Sequence, residues 1–160
     1  MINYYLVFFS LFILSCKVSP KEDTKNDVLY NVIKTDLEWQ SELSEISYFV
    51  LRESGTEYAF TGKYDDHYES GIYKCMGCGI DLYNSKYKYN SKSGWPSFDR
   101  GINDNLEFSI EYKLGFPRTE IKCANCGGHL GHLFNDGPKK TTGQRHCINS
   151  AALNFKSINE

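Results

Sequence analysis

The sequence has 160 residues, of which 41% are hydrophobic and 15% are aromatic. This composition is typical of one packed globular domain and excludes a largely disordered chain. The formal net charge of -2 provides no overall positive field, so nucleic acid is not expected as a partner.

The N-terminus carries an apolar run at residues 6–14 with the length of a signal-peptide core, too short to span a bilayer as a helix. It ends in Ile13-Leu14-Ser15-Cys16, which resembles the lipobox of bacterial lipoproteins. This resemblance implies a signal peptide at residues 1–15 and a lipid on the Cys16 thiol. The expected location is the bacterial cell envelope, lipid-anchored on the exported side of the membrane. A plain secretory signal and a simple apolar terminus are the alternatives.

Residues 16–34 are polar and charged without apolar periodicity, which predicts a flexible tether before a domain at residues 35–160. Asp36 opens a segment with helical spacing of apolar residues, which predicts a short amphipathic helix with an acidic N-terminal cap. The apolar positions are Leu37, Trp39, Leu43 and Ile46. A second short helix around residues 48–52 is possible.

Beyond Gly71 the pattern changes to short runs separated by Gly, Asn and Asp. Examples are Tyr87-Lys88-Tyr89 and Phe108-Ser109-Ile110-Glu111-Tyr112, which are typical of strands between turns. The sequence therefore predicts a mainly β, antiparallel domain with short helices at its N-terminal side.

Four of the six cysteines form two Cys-x-x-Cys pairs, each followed by glycine. The pairs are Cys75 with Cys78 and Cys123 with Cys126. Two such turns supply four thiolates, the usual set for a closed, structural Zn²⁺ site. A disulfide framework and a redox-active dithiol are the alternatives; the dithiol motif belongs at the start of a helix in a βαβ unit, which this sequence lacks.

Cys147 has no motif partner. If its segment is a strand, alternation places Arg145, Cys147 and Asn149 on one face. A guanidinium and an amide beside a thiol are expected to lower its pKa and make it reactive. The alternative is an inert, buried cysteine that packs as a small apolar residue.

A glycine-rich segment contains His129 and His132 and ends in Asp136-Gly137-Pro138. These histidines are candidate general acids for a nucleophile on a neighbouring strand. A second metal site at the two histidines is a weaker interpretation because no further ligand cluster is evident. The isolated His67 is interpreted as a surface residue.

Together with the two Cys-x-x-Cys turns, several separated motifs resemble the methionine-R-sulfoxide reductase family of the MsrB or SelR type. These motifs are Thr56-Glu57-Tyr58-Ala59-Phe60, Ser91-Lys92-Ser93-Gly94-Trp95-Pro96-Ser97-Phe98, Arg118-Thr119-Glu120, the segment from His129 to Pro138, and the Cys147 strand. The resemblance extends over residues 36–155. It implies two β-sheets, with a structural zinc ion far from the active site.

The resemblance also implies residue roles in the reduction of methionine R-sulfoxide, free or in proteins. Cys147 is expected to attack the sulfoxide sulfur, while His132, assisted by His129, protonates the oxygen. Asn149 and Arg145 are expected to order the site. Trp95 is expected to hold the S-methyl group of the substrate; a plain core tryptophan is the alternative.

The expected product on the enzyme is a Cys147 sulfenic acid. Many members of the family resolve it with a second cysteine, whose matching position here is Ser93. The chain is therefore expected to need an external reductant, thioredoxin-like or a small thiol. It is also expected to be a monomer. A non-catalytic zinc-binding module and a general thiol oxidoreductase are the competing function classes.

Overall fold

The computed structural model describes residues 29–158, so Cys16, the expected signal peptide and most of the expected tether lie outside the described residues. Two α-helices come first, α1 (Asp36–Glu42) and α2 (Glu45–Glu53). The residue that caps α1 is Thr35, not Asp36: the Thr35 side chain accepts from the Glu38 backbone, and the Glu38 side chain accepts from the Thr35 backbone. Asp36 belongs to the first helical turn, where its negative charge interacts favourably with the helix dipole.

The described part of the chain continues with nine short strands. These are β1 (Gly71–Cys75), β2 (Asp81–Asn84), β3 (Lys88–Tyr89), β4 (Ser97–Phe98), β5 (Leu106–Glu111), β6 (Arg118–Cys123), β7 (His129–Phe134), β8 (Arg145–Ile148) and β9 (Leu153–Ser157). Single turns of 3₁₀ helix lie at Ser85–Tyr87, Asn103–Asn105 and Ser150–Ala152. Within residues 29–158, neither helix has the length and apolar character that crossing a membrane requires.

Among the described residues, the strands form a small sheet with the order β2-β1-β9 and a large sheet with the order β3-β4-β8-β7-β6-β5. All of the pairings in both sheets are antiparallel. The prediction of a mainly β domain with two antiparallel sheets and short N-terminal helices is confirmed.

The two sheets meet through aromatic rings. Tyr83 of β2 stacks on Phe98 of β4 with the ring centroids 4.3 Å apart, and Tyr73 of β1 meets Phe98 edge-on at 5.2 Å. All three side chains are fully buried. Because Phe98 points toward the small sheet, its neighbour Ser97 points to the opposite face of the large sheet.

Both helices lie against the cysteine turns. A Cβ atom added at Gly77 would lie 3.4 Å from the Trp39 ring of α1, and one added at Gly128 would lie 2.9 Å from Leu51 of α2. Trp39 and Leu51 are almost completely buried. The helices therefore cover the side of the domain that carries the four paired cysteines.

The contacts of the domain begin before residue 35. Within the segment that the sequence assigned to a tether, the Val32 amide donates to the Asn125 carbonyl at 3.0 Å. The Tyr30 hydroxyl donates to Glu107 at 2.8 Å. The tether expected at residues 16–34 thus includes a stretch that packs on the domain, a pairing between distant residues that no local pattern reveals.

His67 is not a surface residue, contrary to the sequence-based interpretation. Its side chain is half-buried, and its Nδ1 lies 2.8 Å from the Tyr73 hydroxyl. The imidazole also meets the Phe155 ring edge-on, with a centroid distance of 4.4 Å. The residues next to His67 in the sequence are polar, so they do not indicate this aromatic environment. The aromatic rings come from β1 and β9.

Strand β7 contains a bulge that decides which side chains share a face. Ile121 pairs with Gly131, but the next residue of β6, Lys122, pairs with His129, so one extra residue is inserted in β7. In a regular strand, residues three positions apart point to opposite faces. The bulge shifts this alternation and turns His129 to the same face as His132.

Candidate active site and metal centre

The sheet register brings the expected catalytic residues into one row on the large sheet. Cys147 of β8 lies between Ser97 of β4 and His132 of β7, and His132 in turn pairs with Glu120 of β6. Directly paired residues of antiparallel strands point to the same side. The row therefore lies on the face opposite Phe98, away from the small sheet.

A cavity of about 140 Å³ opens beside this row. The lining residues are Thr56, Trp95, Arg118, Gly131, His132, Phe134, Cys147 and Asn149. The structure thus brings together four of the residues expected from the sequence: Cys147, His132, Asn149 and Trp95. Arg145 and His129 do not line this cavity but contact residues that do.

The Cys147 thiol is half-buried, and burial raises its pKa. The charge of Arg145 and a contact from Ser93, whose Oγ lies 3.9 Å from the Cys147 sulfur, oppose this effect without overcoming it. The expectation of a lowered pKa is therefore wrong for the resting protein. The sequence identified the guanidinium beside the thiol, but the desolvation of the thiol depends on the surrounding fold.

His132 lies in a cluster of charged groups. Its Nε2 is 3.3 Å from Oε1 of Glu111, an oxygen that also accepts from Arg118 Nε at 2.6 Å. Burial lowers the pKa of His132, and the charges of Arg118 and His129 lower it further, while Glu111 acts in the opposite direction. Arg118 and Glu111 were not expected as site residues, because they come from the hairpin of β5 and β6.

His129 is fully buried behind His132, and the two imidazole centroids are 5.2 Å apart. Its Nδ1 lies 2.6 Å from Glu120 Oε1, whereas its Nε2 has no hydrogen-bond partner within residues 29–158. Burial acts to raise the pKa of Glu120, but the hydrogen bond with His129 and the nearby Lys122 outweigh it and lower the pKa to about 2. Glu120 is therefore an ionised partner that fixes the orientation of His129.

Asn149 and Trp95 are both hydrogen-bonded to Glu57, a residue for which the sequence predicts no role. The Glu57 amide donates to Asn149 Oδ1 at 3.0 Å, and its carbonyl accepts from Trp95 Nε1 at 3.2 Å. The buried Glu57 carboxylate accepts from the backbone amides of Ser150 and Ala151, at 2.6 and 2.9 Å. Glu57 thus joins one wall of the cavity to the turn that follows β8.

The four paired cysteines come together as the spacing predicted. Their sulfur atoms all lie within 4.8 Å of one another. The two contacts between the turns are 3.7 Å for Cys75 with Cys126 and 3.5 Å for Cys78 with Cys123. Tetrahedral zinc with Zn–S bonds of about 2.3 Å separates its sulfur ligands by about 3.8 Å, so this set fits a structural zinc ion.

Both turns have the same backbone design. The Gly79 amide donates to the Cys75 carbonyl, and the Gly127 amide donates to the Cys123 carbonyl, both at 2.8 Å. These glycines have φ angles of 75° and 72°, a region that other residues rarely adopt. Since all four positions are filled by protein sulfur, the centre leaves no place for an activated water.

Replacing Cys123 by Ser is expected to abolish zinc binding and to lower the melting temperature by roughly 10 °C or more, because metal binding and folding are coupled. Elemental analysis and thermal unfolding of protein purified under reducing conditions measure both effects. Cys147→Ser is the matched control, since Cys147 lies outside the cluster and its loss should leave the zinc content unchanged. Wild-type protein without zinc, or a Cys123→Ser variant that melts like wild type, would contradict the assignment.

Known proteins similar to this chain identify its family. The SelR domain matches residues 43–157. A protein named peptide methionine sulfoxide reductase MsrB from Leptospira interrogans serogroup Icterohaemorrhagiae serovar Lai is 48% identical over 128 residues, which cover 79% of this chain and 97% of the relative. A relative with the same name from Leifsonia xyli subsp. xyli is 44% identical, and the match covers 82% of this chain and 95% of the relative. Another from Burkholderia multivorans is 45% identical, and that match covers 82% of this chain and 93% of the relative. The chain therefore belongs to the SelR domain family, together with these proteins named MsrB.

Proposed function

We propose that the protein reduces methionine R-sulfoxide to methionine, with Cys147 as the nucleophile. The observation that carries this proposal is the direct pairing of Cys147 with His132 across β7 and β8, beside a cavity that also contains Trp95. A thiol and a proton donor on one face of a sheet are the two groups that sulfoxide reduction needs. Membership of a family with relatives named for this activity supports the same reaction.

Cys147 attacks the sulfoxide sulfur while His132 gives a proton to the sulfoxide oxygen. The attack forms a bond between the two sulfur atoms, and the protonated oxygen then moves from the substrate sulfur to the Cys147 sulfur. The bond between the sulfur atoms breaks with its electron pair on the substrate sulfur, so methionine leaves and Cys147 remains as a sulfenic acid. The substrate sulfur is reduced by two electrons and the Cys147 sulfur is oxidised by two. His129, held by Glu120 at 2.6 Å, supports His132 from behind.

The cavity walls give each remaining residue a role. Trp95 is half-exposed and anchored through its ring nitrogen, so its face is free to pack against the S-methyl group of the substrate. Arg145 acts on Cys147 through its charge, which stabilises the thiolate that attacks. Asn149, whose amide group donates to the Leu130 carbonyl at 3.0 Å, holds β8 against β7 beneath the reacting groups.

Recycling requires a thiol from outside the domain. Within residues 29–158, the cysteines other than Cys147 all belong to the zinc cluster. Ser93, whose Oγ lies 3.9 Å from the Cys147 sulfur, occupies a position from which a resolving thiol could act. A serine hydroxyl cannot form a disulfide. The sulfenic acid therefore persists until an external thiol reacts with it.

The Cys147→Ser variant is expected to lose more than roughly a thousandfold of the reductase activity and to keep the wild-type fold. Activity is measured separately on the R and S epimers of methionine sulfoxide with dithiothreitol, and wild type should act on R alone. Ile148→Val is the control, because it alters the same strand on its buried face and should retain activity.

Intact-mass analysis after one equivalent of substrate, without reductant and with dimedone present, should find one dimedone adduct on wild-type Cys147. An internal disulfide instead, or full activity in Cys147→Ser, would exclude this scheme.

The pH dependence follows from the two pKa shifts. At neutral pH the raised pKa of Cys147 and the lowered pKa of His132 leave one proton on the pair, and that proton resides on the thiol. The reactive arrangement, thiolate with imidazolium, carries the same single proton. Activity therefore falls at low pH, when the pair gains a second proton on His132. It also falls at high pH, when the pair loses its single proton from Cys147.

Glu111→Gln should move the acidic limb of kcat/KM to lower pH and reduce the plateau several-fold. The reason is that the Glu111 charge raises the pKa of His132. Removing that charge lowers the pKa of His132, so the reactive arrangement of thiolate and imidazolium is less populated. Glu107→Gln is the matched control on the same strand, since this carboxylate contacts Tyr30 and Lys122 instead of His132. An unchanged acidic limb in Glu111→Gln would remove His132 from the proton transfer.

The protein is further proposed to be lipid-anchored in the bacterial cell envelope through Cys16, on the strength of the apolar run at residues 6–14 and the Ile13-Leu14-Ser15-Cys16 motif. Each buried methylene of an acyl chain contributes about 0.8 kcal/mol, so that several chains hold a protein on a membrane stably.

Cys16→Ala in the full chain should move the protein from the membrane fraction to the soluble fraction or leave it as an unprocessed precursor. Fractionation, with labelling by a fatty-acid analogue, measures this change. Ser15→Ala, which keeps the cysteine, is the control. Wild-type protein that is wholly soluble and unlabelled would leave an ordinary secretory signal as the interpretation.

A further inference from the structure

A second cavity lies on the other side of Cys147 from the substrate cavity. It has a volume of about 360 Å³ and shares no lining residue with the first cavity. Ser93, Arg145 and Asp136 line it, and all three act on the Cys147 thiol. Cys147 itself lines only the substrate cavity, and Ser93, whose Oγ lies 3.9 Å from the Cys147 sulfur, connects that sulfur to the second cavity.

Arg145 forms the partition between the two cavities. Its guanidinium stacks on the Phe134 ring, 4.3 Å from the centroid, and Phe134 belongs to the substrate cavity. On its other side it forms two parallel hydrogen bonds with Asp136, of 2.8 and 2.9 Å. The guanidinium group is thus held on two sides. It keeps the two cavities separate and presents a charged edge to the second cavity.

The second cavity is built for a polar ligand. Tyr89 lines it, and the buried Tyr89 hydroxyl has no hydrogen-bond partner in the described part of the chain. Three exposed lysines adjoin the residues that line the cavity. Lys92 lies between Ser91 and Ser93 in the chain, and Lys139 and Lys140 directly follow Pro138. Arg145 and the three lysines outnumber Asp136 and Asp99, the two acids that act on Tyr89, so the entrance favours an anion.

The direction of approach matters chemically. The sulfenic oxygen derives from a sulfoxide bound in the substrate cavity, so the new sulfur–oxygen bond points to that side, toward His132. A thiol that displaces the oxygen attacks the sulfur in line with the bond that breaks, and therefore from the side away from the substrate cavity. The second cavity lies on that side.

We propose that this second cavity admits the reductant, a low-molecular-weight thiol that carries a carboxylate. The inference rests on the proposed function, since it concerns the reduction of the Cys147 sulfenic acid. The reductant, which has lost its thiol proton to solvent, forms a mixed disulfide with Cys147 as a thiolate. The oxygen leaves as water after taking up one proton from solvent through His132, which balances the proton lost by the thiol. A second molecule of the thiol then attacks its own sulfur in the mixed disulfide, which releases a disulfide of the reductant and frees Cys147.

The experiment follows the two half-reactions separately. Wild-type protein is oxidised with one equivalent of methionine R-sulfoxide, and the methionine released is quantified. The sulfenic acid is then mixed with 3-mercaptopropionate, 2-mercaptoethanol or cysteamine, which are similar in size but carry a negative, no and a positive charge at the far end. Rates are compared per thiolate because the three thiols differ in acidity.

At low salt the carboxylate thiol should react at least about fivefold faster than cysteamine, and the difference should shrink at 0.15 M salt, as expected for a charged entrance. Asp136→Asn should increase the preference, because it removes the acid and frees the Arg145 guanidinium. Asp104→Asn is the matched control: it makes the same charge change at an exposed acid outside this cavity and should leave the preference unchanged.

Ser93→Leu fills the passage to the sulfur and should slow all three thiols by roughly tenfold. Equal rates in Ser93→Leu and wild type, or a preference for cysteamine, would overturn the proposal in protein that still releases one equivalent of methionine. Inhibition of the second half-reaction by added methionine would also overturn it, since the thiol would then be entering through the substrate cavity. If no methionine is released in the first half-reaction, the proposed function itself fails instead.

Discussion

The bulge in β7 is the constraint on which the arrangement of the site depends. It inserts one residue between the positions of His129 and Gly131, so that two histidines three positions apart face the same side of the sheet. With regular alternation, His129 would point to the face that packs toward the small sheet, where a polar ring without a partner is costly. Gly131 completes the constraint, because an added Cβ atom would lie 2.0 Å from the Cys147 carbonyl oxygen. The strands that carry the thiol and the histidine can approach each other only at a residue without a side chain.

The same strands end in the metal centre. Cys123 is the last residue of β6, and Cys126 lies three positions before the start of β7, so the zinc ligands hold together the ends of the two strands that supply Glu120, His129 and His132. An extended strand rises about 3.3 Å per residue, which puts Glu120 about 10 Å from Cys123 along the chain. A zinc ion bound by these cysteines would hold the register of the two strands without touching the reacting groups, as expected of a structural ion.

The electrostatics of Cys147 combine two requirements. Burial keeps the resting thiol protonated, and a protonated thiol reacts poorly with peroxides and other unselective oxidants, since the thiolate is the nucleophile. Arg145 and Ser93 remain in place to stabilise the thiolate once a sulfoxide occupies the cavity. In the proposed mechanism, this balance ties the reactivity of the sulfur to the presence of a substrate that can also accept a proton from His132.

The sequence predicted those parts of the molecule that local patterns encode, and the structure explains why others were missed. The cysteine turns and the alternating strand patterns are encoded in short stretches of chain, and the cysteine cluster and the two antiparallel sheets are confirmed. The partners Glu111 and Arg118, the capping by Thr35 and the aromatic surroundings of His67 depend on pairings or geometry that spacing alone does not specify. The sign of the Cys147 pKa shift was wrong for the same reason, because it depends on how much of the fold covers the thiol.

Glu57 is another residue whose contacts spacing alone does not specify, and it connects several parts of the site. A single residue uses its amide, its carbonyl and its carboxylate to hold Asn149, the Trp95 ring and the turn at Ser150–Ala151 in one hydrogen-bonded frame. The floor and one wall of the substrate cavity therefore form a rigid unit before any ligand arrives. A ligand that enters such a preformed cavity loses little further conformational entropy of the protein, so more of its contact energy is expressed as affinity. A ligand as small as a methionine sulfoxide side chain, which offers few contacts, can therefore bind tightly enough to react.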